Sequence, residues 1–260
     1  MSEETPPYGS RGSMAANGWF TDEGFWTAYA SLMFDEGRWA EALDAVDAIL
    51  RLAGMDKPAV LDMCCGPGRH SLEFSRRGCP VVGVDITQPY LEAARDSAAY
   101  EGLNASFEHG DARSWVRPTA FNLAVNLFTS FGYFDSPEED LAMLSCMRTS
   151  LKPGGVLVMD LVGKETAAAN FIEGEWFERD GKLVLTEFSV VGAWEGLKNR
   201  WIIVDGDKKT DRSWVQRLYS ASELRRALIA AGFSRVDIYG SLSGIAYDHN
   251  AHSLVAVARV

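Results

Sequence analysis

The stretch that decides the fold runs Val60-Leu61-Asp62-Met63-Cys64-Cys65-Gly66-Pro67-Gly68-Arg69-His70-Ser71. A short apolar run ending at Met63 reads as a buried strand, Gly66 and Gly68 punctuate a turn, and Arg69 opens a helix. Such a turn brings backbone N–H groups up to a ligand, and the helix N-terminus behind it favours negative charge. Gly66-x-Gly68 followed by Ser71 falls one residue short of the dinucleotide fingerprint, which asks for a third Gly or Ala. The turn alone therefore leaves the ligand open.

Outward from it, short apolar runs alternate with helical stretches. Strands are predicted over 59–63, 80–84, 105–108, 121–126 and 156–161, with helices over 69–77, 88–100 and 137–150. Ser136 and Pro137 supply an N-cap and a first-turn proline for the last of these, and Lys152–Gly155 reads as a tight turn. Alternation on this scale means a parallel sheet with right-handed crossovers. From Gly163 to about Arg217 it stops: 175–180, 182–191, 197–204 and 213–218 read as antiparallel strands, with hairpin signals at Asp180-Gly181 and Asp205-Gly206. A helix over 222–231, stopped by Gly232, and strands over 235–239 and 253–260 close the chain, the last able to pair antiparallel. Upstream, Phe25, Trp26, Tyr29, Leu32 and Met33, then Trp39, Leu43, Val46 and Leu50, recur at helical spacing, giving two helices that break near Asp35–Gly37. The expected organisation is a flexible tail (1–18), an N-terminal helical cap (19–55), an α/β core (56–162 and 219–260) and an antiparallel β insert (163–218).

Composition bounds the function. The chain has 260 residues with 47% hydrophobic and 23% charged, which are globular proportions, and a formal net charge of −11. That acidity, without a basic run, opposes phosphate backbones and anionic lipid, so neither nucleic acid nor a membrane surface is an expected partner. Cys64, Cys65, Cys79 and Cys146 form no CxxC pair or zinc-spaced cluster, so no metal is expected, and the chain reads as reduced and cytoplasmic. No apolar stretch is long enough for a membrane span, and the polar N-terminus does not look like a signal peptide.

Three further segments sharpen the ligand. Val82-Gly83-Val84-Asp85 ends the second strand on a carboxylate, the position from which an acid accepts both hydroxyls of a ribose. Gly110-Asp111-Ala112 follows the third strand, and Asn122–Phe134 places an Asn and several aromatics after the fourth. With these the chain resembles the class I S-adenosylmethionine-dependent methyltransferases over about 56–162 and 219–260. Asp62-x-Cys64-x-Gly66-x-Gly68 is similar to their first motif, Asp85 to their ribose-binding acid, Asp111-Ala112 to their adenine-binding pair, and Lys152-Pro153-Gly154-Gly155 to the turn before their fifth strand. Phe128–Phe134 and Arg217–Leu224 resemble a small-molecule subgroup with an antiparallel lid. One departure is Cys64, where the family usually has Gly.

The resemblance implies a Rossmann-like seven-stranded sheet with its last strand antiparallel, S-adenosylmethionine as cofactor, and methyl transfer to N or O of a small molecule. It implies cofactor contacts from Asp62, Cys64, Gly66, Gly68, Arg69, Asp85, Ile86, Asp111, Ala112, Asn126 and Leu127. Arg69 or Arg38 would meet the methionine carboxylate, since bidentate geometry suits Arg, and Asn126 and Leu127 would lie beside the sulfonium. An oxygen acceptor would benefit from a general base, for which His249, in a polar loop before the last strand, and Tyr133 stand first, with His252 and Tyr247 behind them. Tyr133, Trp201, Arg217 and Tyr247 are the expected substrate contacts; Trp26 is assigned to the core, with Tyr29 and Phe34 left open. Unpaired strand edges in the insert favour a homodimer. Two other readings stay open: an NAD(P)-dependent reductase, against which Ser71 and the missing Tyr-x-x-x-Lys pair weigh, and a non-catalytic methyltransferase-like scaffold.

Overall fold

The computed structural model describes residues 18–260, so all but the last residue of the expected tail lies outside the described residues. Five strands, β1 (Val60–Met63), β2 (Val81–Asp85), β3 (Ala105–His109), β4 (Phe121–Asn126) and β5 (Leu151–Leu161), pair in parallel in the order β5-β4-β1-β2-β3. Beyond β5 lie β11 (Leu254–Arg259), antiparallel to it, and β10 (Arg235–Tyr239) at the edge. This is the expected seven-stranded sheet with one reversed strand. Its strands are buried on both faces, as the continuous burial of β1 and the near-continuous runs Leu123–Asn126 and Val156–Met159 show.

The helices form where caps and periodicity put them. Asp22 caps α1 (Glu23–Met33) and Asp35 caps α2 (Glu36–Ala53), which breaks the N-terminal pair where expected. Ser136 and Glu139 form a full capping box on α5 (Pro137–Ser150), and Ser220 and Glu223 do the same on α7 (Ala221–Ala230). With α3 (Arg69–Arg76) and α4 (Gln88–Glu101) they cover both faces: α5 and α7 on one, through Met143, Leu144, Met147, Leu224 and Leu228, and α2 and α3 on the other, through Val46, Ile49 and Phe74.

The insert is a separate four-stranded antiparallel sheet, β6 (Gly174–Arg179), β7 (Lys182–Val191), β8 (Gly196–Asp205) and β9 (Lys208–Arg217), in that order. Asp180 and Gly181 both take positive φ, as a two-residue hairpin needs, and Gly206 does so in the second turn. Three boundaries differ from the sequence reading. Lys152–Gly155 is a bulge inside β5, whose pairing jumps from Phe121↔Leu151 to Leu123↔Val156. The strand read as 213–218 starts five residues earlier, at Lys208, because charged Lys208, Lys209, Asp211 and Arg212 hide a strand that pairs along its whole length. A short helix, α6 (Lys164–Ala169), opens the insert ahead of its strands and is too short to leave a periodic trace.

The N-terminal helices belong to the insert as much as to the core. Phe25, Tyr29 and Leu32 of α1 pack on Val184 and Ile203, and the Tyr29 hydroxyl donates to the Trp201 carbonyl at 2.7 Å. Among the described residues, no helix is long and apolar enough to cross a membrane, and no His, Cys, Asp or Glu cluster could hold a metal.

Candidate functional site

In an open parallel sheet, ligands bind outside the carboxyl ends of the strands where the order reverses. Here that point lies between β1 and β4, and the chain after β1 is built to let backbone approach. Cys64, Gly66 and Gly68 have φ of 63°, 56° and 84°. Glycine adopts this freely, whereas Cys64 pays roughly 1–2 kcal/mol for its side chain, which explains why a Gly is usual there. A Cβ on Gly68 would lie 2.9 Å from the Ala94 Cβ, so this glycine serves the packing of α3 on α4.

The turn faces Asp85. Its Oδ2 accepts the Gly66 N–H and its Oδ1 the Thr87 N–H, each at 2.8 Å. One carboxylate oxygen accepts two hydrogen bonds readily, so each retains acceptor capacity. Burial raises its pKa, against which the Thr87 and Gly66 amides work. Asp62 is different: only 2% exposed, it accepts the Ser71 hydroxyl at 2.6 Å and ties β1 to α3 beneath the turn. Burial pushes its carboxyl up to about 7.

Around Asp85 lies a chamber walled by Cys64, Gly66, Ile86, Asp111, Ala112 and Tyr133 among the expected residues. A second chamber adjoins it, with which it shares Trp26, Phe34, Gly66, Ser130 and Tyr133. Arg69 and Trp201 line this second space. Arg69 is 4% exposed; its guanidinium donates to the Arg38 carbonyl at 2.6 Å and stacks on the Phe128 ring at 4.4 Å, with Arg38 on the same ring at 4.5 Å. Burial and Arg69 hold neighbouring His70 down at about 3, so it is a neutral imidazole. Burial holds the Tyr133 phenol protonated well above its usual range.

Several expected contacts are placed otherwise. Asp62 and Gly68 support the turn without lining either chamber. Asp111 lines the first chamber, but Arg113 fills its oxygens: backbone N–H at 2.9 Å, Nε at 3.0 and 3.1 Å and a terminal nitrogen at 2.6 Å. Its carboxylate is a poor match for an adenine amine. Asn126 is fully buried and donates to the Met63 and Ser130 carbonyls at 3.0 and 3.1 Å, a strut that shapes the loop after β4. Leu127 points to the opposite face, among Val46, Ile49 and Val158.

Arg217 is a clamp. Its Nε donates to Asp140 Oδ2 at 3.0 Å, a terminal nitrogen donates to the Asp135 carbonyl at 3.0 Å, and its backbone N–H donates to Gly132 O at 2.7 Å. It thus fixes β9 to the loop that carries Tyr133 and lines neither chamber. His249 is exposed, and Tyr247 bonds Glu165 on α6 at 3.0 Å. Their loop does reach the carboxyl edge, since Leu254 pairs with Leu161, but β11 stands beyond β5 and β4, three strands from β1. Sequence order alone does not reveal that lateral distance.

Other lining residues were given another role, left open or not named as contacts in the sequence reading. Trp26, assigned to the core, and Phe34 wall both chambers, and Trp19, Trp214, Asn199 and Gln216 line the second. The last three carried a usable signal. Asn199 pairs with Trp214, Leu197 with Gln216 and Trp201 with Arg212, so period-two alternation puts Asn199, Trp201, Trp214 and Gln216 on one face.

Comparison with known proteins agrees with this fold. Residues 60–155 match a family model described as a methyltransferase domain. A 146-residue stretch is 30% identical to the dTDP-3-amino-3,4,6-trideoxy-alpha-D-glucopyranose N,N-dimethyltransferase of Streptomyces venezuelae, covering 56% of this chain and 60% of that protein. The chain therefore spans less than two thirds of that relative's length. The solved structure of DesVI from Streptomyces venezuelae superposes with a TM-score of 0.66 at 25% identity, over 91% of this chain and 98% of that one. The S-adenosylmethionine-bound amino pentose methyltransferase CalS10 of Micromonospora echinaspora gives a TM-score of 0.66 at 24% identity, over 91% and 96%, a likeness of fold.

Proposed function

We infer that this chain, a class I methyltransferase by its fold and by the methyltransferase domain of residues 60–155, is an S-adenosylmethionine-dependent enzyme that methylates a nitrogen or oxygen of a small molecule. The observation that carries the reading is the adjacency of the two chambers: an acid-walled space beside the left-handed turn shares a wall with an aromatic one. A cofactor held in the first would present its reactive group to an acceptor in the second.

The residues present fit that cofactor. Asp85, with acceptor capacity left on both oxygens, would take the ribose hydroxyls; Ile86 and Ala112 would flank the adenine; the main chain at Cys64–Gly66 would meet the methionyl part. Arg69, a buried cation among aromatics, would hold the carboxylate. Bound there, S-adenosylmethionine supplies a methyl group on a sulfonium. The chain's own work is positioning and water exclusion: Tyr133 and Trp26 stand at the junction of the chambers, and β8 and β9 roof the second.

The net charge of −11 supports a partner that is neither nucleic acid nor an anionic membrane. Four free thiols support a reducing compartment, the cytoplasm. The edge strand β6, with Trp176 on it 69% exposed, supports a homodimer. The test is mass spectrometry of a panel of amines and alcohols incubated with enzyme and S-adenosylmethionine carrying a deuterated methyl group. Labelled acceptor with an equal amount of S-adenosylhomocysteine is the expected result. Hydride exchange with a nicotinamide nucleotide, with no label transferred, overturns it.

A further inference from the structure

The roof of the second chamber carries two side-chain amides whose oxygens are unused. Asn199 on β8 is 7% exposed; its Nδ2 donates to the Leu197 carbonyl at 3.0 Å, which sets the amide's orientation and leaves Oδ1 without a hydrogen bond among the described residues. Gln216 on β9 donates through Nε2 to the Thr129 and Phe131 carbonyls at 2.9 and 3.0 Å, so its Oε1 is likewise unengaged. Both residues line the chamber from the same sheet face as Trp201 and Trp214. Two unengaged amide acceptors on one sheet face, among aromatic rings, suit a ligand that presents N–H or O–H donors on an apolar body.

The charges around them narrow the choice. The titratable residues lining this chamber are Cys65, Arg69, His70 and Tyr133. None is a carboxylate, Cys65 and Tyr133 are held protonated by burial, and His70 is held neutral. The one charged side chain is the Arg69 guanidinium, and Asp85 and Asp111 lie in the other chamber. No side chain lining this chamber is placed to take a proton from an alcohol. A neutral amine needs no base: it enters with its lone pair free, having left its proton in solvent.

Resting on the methyltransferase reading above, we propose that Asn199 and Gln216 form the acceptor's recognition pair, their side-chain carbonyls receiving the two N–H groups of an uncharged primary amine so that its lone pair faces the first chamber. The aromatic walls then stabilise positive charge as it moves from sulfur to nitrogen.

The experiment uses the enzyme saturated with S-adenosylhomocysteine and cyclohexylamine as probe, with binding read by tryptophan fluorescence between pH 7 and pH 10. The expected result is an affinity that rises with pH as the free base forms, and that falls about fivefold to tenfold in Asn199→Leu, one net hydrogen bond, at unchanged affinity for S-adenosylhomocysteine. Asn199→Asp, which keeps the shape and adds a charge, is expected to reverse the pH dependence by admitting the ammonium form. With S-adenosylmethionine, the wild-type enzyme is expected to methylate cyclohexylamine and not cyclohexanol. Equal affinity in Asn199→Leu, tighter binding at lower pH in the wild type, no binding at all, or methylation of the alcohol overturns the proposal. Failure to bind S-adenosylhomocysteine overturns instead the reading on which it rests.

Discussion

Replacing Asp85 by Ala tests the anchor of the first chamber. In the native turn this carboxylate accepts two backbone N–H groups, from Gly66 and Thr87, and keeps acceptor positions for two hydroxyls. A hydrogen bond to a charged group is worth about 1.5–3 kcal/mol. Two lost together would weaken S-adenosylmethionine by about 3 kcal/mol or more, which is on the order of a hundredfold. The Gly66 amide also loses its partner, at a cost of about 1–3 kcal/mol of stability. Asp85→Asn keeps the volume and one acceptor oxygen, and about a tenfold loss is expected from a single charged bond. Isothermal titration calorimetry with S-adenosylmethionine and S-adenosylhomocysteine reads both numbers, and a urea titration reads the stability. Acidification should act in the same direction: burial raises the Asp85 pKa, so cofactor affinity should fall at a pH above the ordinary carboxylate range. Affinity for Asp85→Ala within threefold of wild type, with the variant folded, would refute the assignment.

Asp62 gives a pH signature of opposite sense. Its carboxyl titrates near 7 when folded, well above its unfolded value, so the folded state favours the protonated form and stability is lost as pH rises from about 4 to 7. Asp62→Asn escapes that loss, and urea titrations should show its advantage over wild type growing across this window, to a ceiling of about 4 kcal/mol, and flat beyond it. Gly132→Ala should be severely destabilising, because φ is 84° there and an added Cβ would collide with the Arg217 carbonyl oxygen; a loss above about 3 kcal/mol is expected, and thermal melts check it. His249→Ala should leave kcat/KM within about twofold of wild type, since surface changes away from a site are worth under about 0.5 kcal/mol; a tenfold drop in steady-state turnover would restore it to the mechanism.

The sheet was legible because its signals are local. The apolar runs, the Ser136 and Ser220 caps and the two turn glycines each act within a few residues, and a parallel sheet with one reversed strand follows from their order. Asp85 was equally legible, being fixed by its place at the end of β2. What escaped depends on distance across the sheet and on packing between remote segments. His249 lies at the correct edge but three strands too far. Arg217 sits beside site residues in the chain, yet the buried Asp140, 77 positions away, claims its guanidinium. Asp111 has the right type and position, and a neighbour two residues on, Arg113, spends its oxygens. Trp26 has helical spacing that suits a core, and only the docking of α1 against the insert turns it towards the chambers. Asn199 and Gln216 follow the period-two alternation of Trp201 and Trp214, and the register of β8 on β9 brings all four onto one face.

The most direct test of the central claim is a thermal-shift comparison of the whole chain with S-adenosylmethionine, S-adenosylhomocysteine, NAD and NADP. Ligand at about a hundred times its dissociation constant stabilises by about 2.7 kcal/mol, which for a chain of this length is a shift on the order of 5–10 °C. The structure leads us to expect that shift with the two adenosyl-sulfur compounds and none with the nicotinamide nucleotides. A shift with NAD or NADP in their place would contradict it.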